Sequence, residues 1–508
     1  MIALLLVPIV LFLLYRWTVR NNKYFEKLKI PFVKPYPLFG ALWPVFSRKS
    51  HPCDALTLGY DQFPKNRFSG YFEFHRPAIL LHDPELVKQI AIKDHEQFPD
   101  HDTFCPVEVD PFVGRVIFFE TGQTWKKSRK NQSPLFTSSK MSNMFVLVSE
   151  HVKAAVGRLV DDSKASSMVV EGYDLFSRMT NDVMTLVSLG IDVDSVHDRE
   201  NDFYRNSLQI TENVGFQQLK FFLLTVLPVR LFTLFRISIL SDKCIKFYEN
   251  AVDSVVNYRK KNNVTRPDFI NSLMKHYKSE DSAEDQTQKE GYSNLDISAI
   301  AGTFLFAGIE TSTAAVCFAL YEMALNKQIR EKLQAEVDAV HEELNGSPVT
   351  YDALQKMQYL DMVVSESLRK YPSVPMTNRA SKKAYTIEDH NGKTFPIKQG
   401  QVVTIPIMSF HRDPRYFPNP DRFYPERFAE ENSKLINKDA FMPFGVGPRM
   451  CIGLRLGLLE TKCILYYLMV HFNVELNAKM ERVRLKKSST VLTAENGFWF
   501  NFIPRVRD

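Results

Sequence analysis

The chain has 508 residues, 45% hydrophobic, 12% aromatic and 24% charged, a mix that excludes a disordered or fibrous protein and permits a large buried core. Sixty-four Lys plus Arg face 58 Asp plus Glu for a net charge of +6, too small a surplus to point to nucleic acid as a partner. Six cysteines, at 53, 105, 244, 317, 451 and 463, form no C-x-x-C pair and no dense disulfide framework, and they read as cytosolic thiols. With no internal repeat and no clean central linker, one large domain is expected.

In chain order, the first element is an apolar helix. Met1 to Tyr15 carries no charged side chain, and Arg16 to Val19 extend the run to nineteen residues, roughly 28 Å of helix against a hydrocarbon core of roughly 30 Å. The bulky Tyr15, Arg16 and Trp17 that follow favour an uncleaved anchor over a cleaved signal peptide. Arg16, Arg20, Lys23, Lys27 and Lys29 oppose only Glu26, which places the body of the protein in the cytosol with Tyr15 and Trp17 at the membrane interface. Three prolines between Ile30 and Gly40 predict a stiff extended spacer. The expected organisation is a transmembrane signal anchor over 1–20, a basic and proline-rich linker over 21–40, and a cytosolic body over 41–508. Phe216 to Leu240 is apolar but broken by Lys220, Pro228, Arg230 and Arg236; it suits amphipathic segments that dip into the interface, or equally a pair of core helices. Lys278 to Glu290 reads as a solvated loop, and the Asn263 sequon as unused in this topology.

Ser293 to Asn326 predicts one long apolar helix in which Phe304, Ala307, Thr311 and Ala315 share a face. E-x-x-R occurs at Glu73/Arg76, Glu366/Arg369 and Glu481/Arg484. Only the middle pair lies in a helical pattern that puts both residues on one face; the other two fall in strand-like runs, where positions three apart point to opposite sides.

Near the C-terminus, Phe441 to Gly457 fits F-x-x-G-x-R-x-C-x-G at Phe444, Gly447, Arg449, Cys451 and Gly453. This segment resembles the haem-binding loop of the cytochrome P-450 enzymes, the haem-thiolate monooxygenases. The resemblance spans essentially the whole chain and implies a mainly α fold with small β-sheets (α+β) behind an N-terminal membrane anchor helix, 41–508 being the haem-binding catalytic domain. It makes Cys451 the axial metal ligand of haem b (iron protoporphyrin IX), whose thiolate pushes electron density into iron, and Arg449 a propionate partner. Gly457 and Leu456 stand where relatives often have Ala and Phe. The loop's glycines let the backbone bend beneath a flat macrocycle.

Further roles follow from the same resemblance. Ala307 to Ser312 (AGIETS) resembles the oxygen-activating motif, with room for dioxygen at Ala307 and Gly308, Glu310 in the proton supply and the Thr311 hydroxyl stabilising a reactive oxygen group. Glu366, Arg369 and Arg427 of FYPERF match a structural cluster supporting the cysteine loop. Trp125 and Arg129 (WKKSR) and Arg379 match propionate contacts, and Lys126, Lys127 and Lys130 match a basic docking face for an acidic electron donor. Substrate-facing positions carried over are Phe112 to Phe119, Phe216, Phe304, Ala307, Val374 to Met376 and Leu492 to Thr493, whose apolar character suits a lipophilic ligand.

IAIKDHEQFPDH, FTSSKM and GFWFNF look closest to insect microsomal enzymes of the xenobiotic-metabolising clan, family nine. The implied activity is insertion of one atom of O2 into lipophilic xenobiotics or endogenous lipids, with NADPH electrons delivered by NADPH-cytochrome P-450 reductase, and cytochrome b5 as a further candidate donor. The implied location is the endoplasmic reticulum (microsomal) membrane, single-pass, with no nucleic-acid partner. A haem-thiolate isomerase or dehydratase is one alternative, and a non-catalytic haem-containing ligand-binding protein another.

Overall fold

The structure is a computed structural model that describes residues 12–505 except 14, 104, 165, 212–219, 221–222, 225–228, 236, 275–291 and 481. Helices of eleven or more residues among these are α1 (Pro52–Gln62), α2 (Gly122–Gln132), α3 (Ser138–Ser163), α4 (Gly172–Leu189), α5 (Asp242–Asn262), α6 (Asn294–Leu325), α7 (Lys327–Glu343), α8 (Gln358–Lys370) and α9 (Leu454–His471). The strands are β1 (Phe68–Glu73), β2 (Arg76–Leu81), β3 (Met168–Glu171), β4 (Thr377–Ala380), β5 (Tyr385–Glu388), β6 (Thr394–Ile397), β7 (Val402–Ile405), β8 (Phe472–Leu476) and β9 (Trp499–Pro504). They form three sheets ordered β1-β2-β7-β4, β3-β9-β8 and β5-β6. In the first, β2 runs parallel to β7, Ile79 opposite Val403, while the other pairs are antiparallel. The fold is mainly α with small sheets, as the sequence predicts.

The centre of the larger core is α6. Its start is set by a capping box, in which the Ser293 hydroxyl accepts from the Asp296 N–H and the Asp296 carboxylate accepts from the Ser293 N–H. Apolar residues occur around its whole circumference, so the helix buries itself on all sides. Two glycines let neighbours approach it. A Cβ at Gly302 would fall 2.4 Å from the Phe112 ring, and one at Gly308 would fall 2.2 Å from Met184 Sδ on α4. A second core lies on the first sheet, where Leu80, Leu81, Ile405 and Phe72 are inaccessible.

That second core reaches into the segment expected as a spacer. Phe25 is fully buried against β1, where a Cβ at Gly70 would come within 2.6 Å of its ring, and Phe32 bridges to Gly70. Asn21 Nδ2 donates to the His75 carbonyl at 2.8 Å, and Trp17 packs on the His75 ring at 3.9 Å. Trp17, expected at the membrane interface, has an aromatic partner on the domain. Of the expected anchor over 1–20, residues 1–11 and 14 lie outside the described residues; 12, 13 and 15–19 are helical, with Phe12, Leu13 and Tyr15 exposed. The expected Phe216 contact also lies outside; the short helix Val229–Leu234 buries Phe232 and exposes Leu231 and Leu234, with Phe235 exposed just after it.

One expectation is corrected. Glu73 and Arg76 do meet, in a 3.1 Å ion pair, because Phe74 takes φ 58 and folds β1 onto β2 in a tight hairpin. The alternation argument holds along a strand and fails at its turn. Glu481 lies outside the described residues.

Arg259 at the end of α5 and Asp268 form a bidentate ion pair with side chains 2% and 0% exposed, and Asp268 also accepts from Asn271 N–H. Removing one charge would strand the other. Asp268→Asn is expected to destabilise the chain by about 3 kcal/mol, read as a lowered thermal unfolding midpoint.

Candidate active site around Cys451

The cysteine loop hangs on a buried carboxylate. Helical spacing places Glu366 and Arg369 on one face of α8, and both are 0% exposed. Glu366 Oε2 accepts from Arg369 Nε at 2.7 Å, and Oε1 accepts from Arg369 Nη2 at 2.9 Å and from Tyr424 N–H at 3.0 Å. Arg427 closes the cluster, Nε donating to Glu366 at 3.3 Å and Nη1 to the Pro418 carbonyl. Arg369 spends its remaining donors on the carbonyls of His411 and Pro420.

His411 is the link that the sequence did not reveal. Its ring is fully buried, and burial with the Arg369 charge pulls its pKa down to about 3, so it is neutral. Met442 N–H donates to Nε2 at 2.9 Å, which leaves Nδ1–H to donate to the Arg369 carbonyl. The Glu366 cluster is thereby tied to the start of the cysteine loop. Only an isolated His in FHRDP marked it, and such a residue has no pattern of its own.

Within the loop, Cys451 N–H donates to the Phe444 carbonyl at 2.9 Å. Gly447 takes φ +74, and a Cβ there would sit 1.9 Å from the Ala91 carbonyl oxygen, so only glycine fits. The Gly453 N–H points at the Cys451 sulfur and opposes the rise in its thiol pKa that the surrounding protein causes. Cys451 itself remains exposed, whereas the other five cysteines are buried. A thiol that is accessible, ringed by protein and served by a backbone N–H is suited to ligating a metal as thiolate.

Beside the loop lies an excess of positive charge. Arg449 stacks on Trp125 at 3.9 Å, donates to the carbonyls of Pro99 and Glu120, and pairs with Asp100. Arg379 is 2% exposed and donates to the Asn378 and Val446 carbonyls, with no carboxylate in ion-pair range among the described residues. Burial, then the Arg449 charge, lowers Arg379 to about 10; burial likewise lowers Arg449 to about 10 and Arg129 in direction. His101 beside them is held neutral. Three guanidiniums face two carboxylates, Asp100 and a Glu120 whose burial raises it to about 7, so positive charge remains in surplus, and a cofactor with two carboxylates next to a cysteine-ligated metal answers that demand. Haem therefore fits this donor set.

On the facing helix, Ala307 is exposed and Thr311 partly so, within a helix otherwise largely buried. Thr311 Oγ1 donates to the Ala307 carbonyl at 2.6 Å, while the Thr311 carbonyl accepts from Ser373 Oγ at 2.8 Å. Phe136 connects the two halves, packing 3.9 Å from where a Gly453 Cβ would be and 5.5 Å from the Phe304 ring. Glu310 is partly buried, one residue from Thr311.

The remaining expected positions differ in exposure. Gly308 faces Met184 rather than open space. Phe112 is spent on Gly302, Phe304 on Phe136 and Phe269, and Leu492 is fully buried. Val374 and Phe118 are exposed. Lys126, Lys127 and Lys130 are exposed along α2. A cleft of about 460 Å³ beside α3, lined by His151, Arg158, Asp192 and Arg266 among others, shares no residue with this site.

Glu460 was also missed. It lies on α9, is 0% exposed, and its carboxyl oxygens make no hydrogen bond of full geometry, the Ser312 hydroxyl of α6 acting on them only weakly. Burial raises it to about 8, tempered by the Ser312 hydroxyl of α6. A raised carboxyl binds its proton more tightly when folded, so its contribution is full below pH 4.5 and is lost as pH rises towards about 8. Glu460→Gln is expected to flatten the fall in thermal midpoint between pH 5 and 8. For the cluster, Glu366→Gln leaves two buried guanidiniums short of charge, an expected loss of about 3 kcal/mol, and is expected to yield protein with a greatly reduced haem-to-protein absorbance ratio.

The match to known proteins agrees with this geometry. The family model described as Cytochrome P450 matches residues 31–502. The chain is 34% identical to Cytochrome P450 9b2 of Drosophila melanogaster, covering 97% of each. It is 35% identical to Cytochrome P450 9e2 of Blattella germanica (99% of this chain, 97% of the relative) and 36% identical to the Probable cytochrome P450 9f2 of Drosophila melanogaster, over 97% of each. With a cysteine loop, a cation cluster suited to haem carboxylates and this identity along its whole length, the chain belongs to the cytochrome P450 family, the haem-thiolate monooxygenases.

Proposed function

We propose that this monooxygenase acts on lipophilic small molecules at the cytosolic face of the endoplasmic reticulum membrane, drawing NADPH electrons through a flavoprotein reductase. One oxygen atom of O2 enters the substrate and the other leaves as water, with two electrons and two protons consumed. Haem, held through Cys451, supplies the activation of dioxygen. The observation that carries the reading is the opening of α6 at Ala307 and Thr311, in a helix that is otherwise packed shut.

The chain's own residues divide the remaining work. Arg129, Arg379, Arg449 and Trp125 would hold the haem carboxylates, while Phe444 and Gly453 set the cysteine backbone. With the cofactor bound, the Thr311 hydroxyl would donate a proton into the space beside Ala307 and be resupplied from the side of Glu310; its bond to the Ala307 carbonyl holds the hydroxyl in place. Ser373 fixes the Thr311 backbone from below. The apolar Ala307 and Val374 leave room for a hydrocarbon surface and few polar partners for water. The exposed lysines of α2 offer a rim for an acidic electron donor.

Purified protein with reductase and NADPH, tested on a panel of lipophilic compounds, is expected to give oxygenated products. Thr311→Ala is expected to keep the carbon monoxide spectrum of a thiolate haem while product per NADPH falls about tenfold or more, with peroxide released instead. Unchanged coupling would remove the proton role; Cys451→Ala with an intact thiolate spectrum would move the ligand elsewhere.

A further inference from the structure

The cleft of about 460 Å³ beside α3 is walled by four parts of the chain. Apolar surface comes from Leu147 of α3, Leu186 near the end of α4 and Val193 of the loop that follows. Two guanidiniums stand among these, Arg158 of α3 and Arg266 of the segment after α5, together with Asp192 and Asp194. Its volume falls in the range of small-molecule sites, roughly 300–1,000 Å³.

What the cleft lacks is acceptors. Arg158 Nε is buried with no hydrogen-bond partner among the described residues, and Nη2 reaches Asp194 Oδ2 only at 3.4 Å. Arg266 Nε stands 3.9 Å from Asp268, but Arg259 already takes both oxygens of that carboxylate, at 2.7 and 2.6 Å. Arg266 Nη1 donates to the Gly190 carbonyl at 3.1 Å. The carboxylates are better served. Asp194 accepts from the His197 ring at 3.1 Å and from the His197 N–H at 3.3 Å. Asp192 faces the His151 ring at 3.2 Å and is 75% exposed, so water completes its needs, and Glu150 on the rim is exposed as well. A buried donor left unmet is costly, and a ligand that brings acceptor oxygens removes that cost.

We propose that this cleft is a second ligand site, which takes small organic anions with an apolar body, aryl sulfonates and aryl carboxylates among them, independently of the haem site. The oxygens of the anion bond to Arg158 Nε and to the Arg266 guanidinium, charge-assisted contacts that a neutral ligand cannot make. Its body lies on Leu147, Leu186 and Val193. A cation is disfavoured, because it would meet both guanidiniums while the nearer carboxylate, Asp194, is engaged by His197. Gly190, whose carbonyl Arg266 holds, is the left-handed cap of α4 at φ 70. An occupant bridging Arg158 and Arg266 therefore ties α3 to the end of α4 and steadies the loop between them.

The test uses full-length, haem-loaded protein in phospholipid nanodiscs, with the azole clotrimazole saturating the haem site and empty nanodiscs subtracted. The probe is 1-naphthalenesulfonate, titrated calorimetrically into wild type, Arg158→Gln, Arg266→Gln and Ala154→Trp. Wild type is expected to bind one equivalent, and each glutamine variant to bind about tenfold or more weakly. Ala154 is an exposed residue of the α3 wall, so Ala154→Trp fills the cleft while every charge stays; it is expected to abolish binding, and it decides the matter if a glutamine variant does not accumulate. Neutral 1-naphthalenemethanol and cationic 1-naphthylmethylammonium are expected to show no saturable binding. With the sulfonate bound, hydrogen exchange at the amides of 191–194 is expected to slow about threefold or more while α9 is unchanged. Equal sulfonate affinity in all four proteins would overturn the site, as would equally tight binding of the neutral alcohol or displacement of the sulfonate by clotrimazole. Binding that weakens in the glutamine variants but survives in Ala154→Trp would place the anion on another surface and overturn the cleft as its site.

Discussion

The site depends on one buried carboxylate holding two guanidiniums. Isolated, any of these charges would cost several kcal/mol to bury; together, with the His411 and Pro420 carbonyls taking further donors of Arg369, they form a joint between α8 and the 418–427 region. Stability alone does not explain such a joint, since an apolar substitute of equal volume is often as stable. What it gives is direction. Through the neutral His411 the joint reaches the Met442 N–H, and from there the loop carries Phe444 and Cys451 to a defined place.

The second constraint is the close packing of α6. A helix apolar on every side has to be enclosed on every side, and Gly302 and Gly308 allow Phe112 and Met184 close enough to do so. The opening at Ala307 and Thr311 is an interruption of that enclosure, kept in register by Ser373 from one side and Ser312 facing Glu460 from another. The polar groups near the opening bond mostly to backbone, which leaves few free side chains to compete with an apolar ligand.

Charge is handled differently at three of the buried carboxylates. Glu366 is balanced by guanidiniums, Asp110 by neutral donors, and Glu460 by keeping its proton. Around Arg379 and Arg449 the balance is left positive within the protein itself. That imbalance separates a cofactor-holding cluster from a structural one, and it is visible only when partners are counted atom by atom.

Much of this was readable from the sequence. The bounds of α6, the helical setting of Glu366 with Arg369 and the cysteine loop follow from periodicity, caps and spacing, which are local properties. His411, Glu460 and Asp110 were not readable, because each acts through partners far away in the chain, and a single His, Glu or Asp leaves no pattern. The pairing of Glu73 with Arg76 was misjudged for a related reason: alternation describes a strand, while a turn at Phe74 was decided by the sheet. By itself the sequence determined the helices that bear the expected site residues and the spacing of the cysteine loop, since those rest on neighbours within a turn or two, while the roles of those residues are what the family resemblance implies. Only the tertiary structure decided which buried charges meet, which face of α6 stays open, and that residues 17–36 lie against the first sheet, because burial and pairing are set by segments the local sequence cannot see.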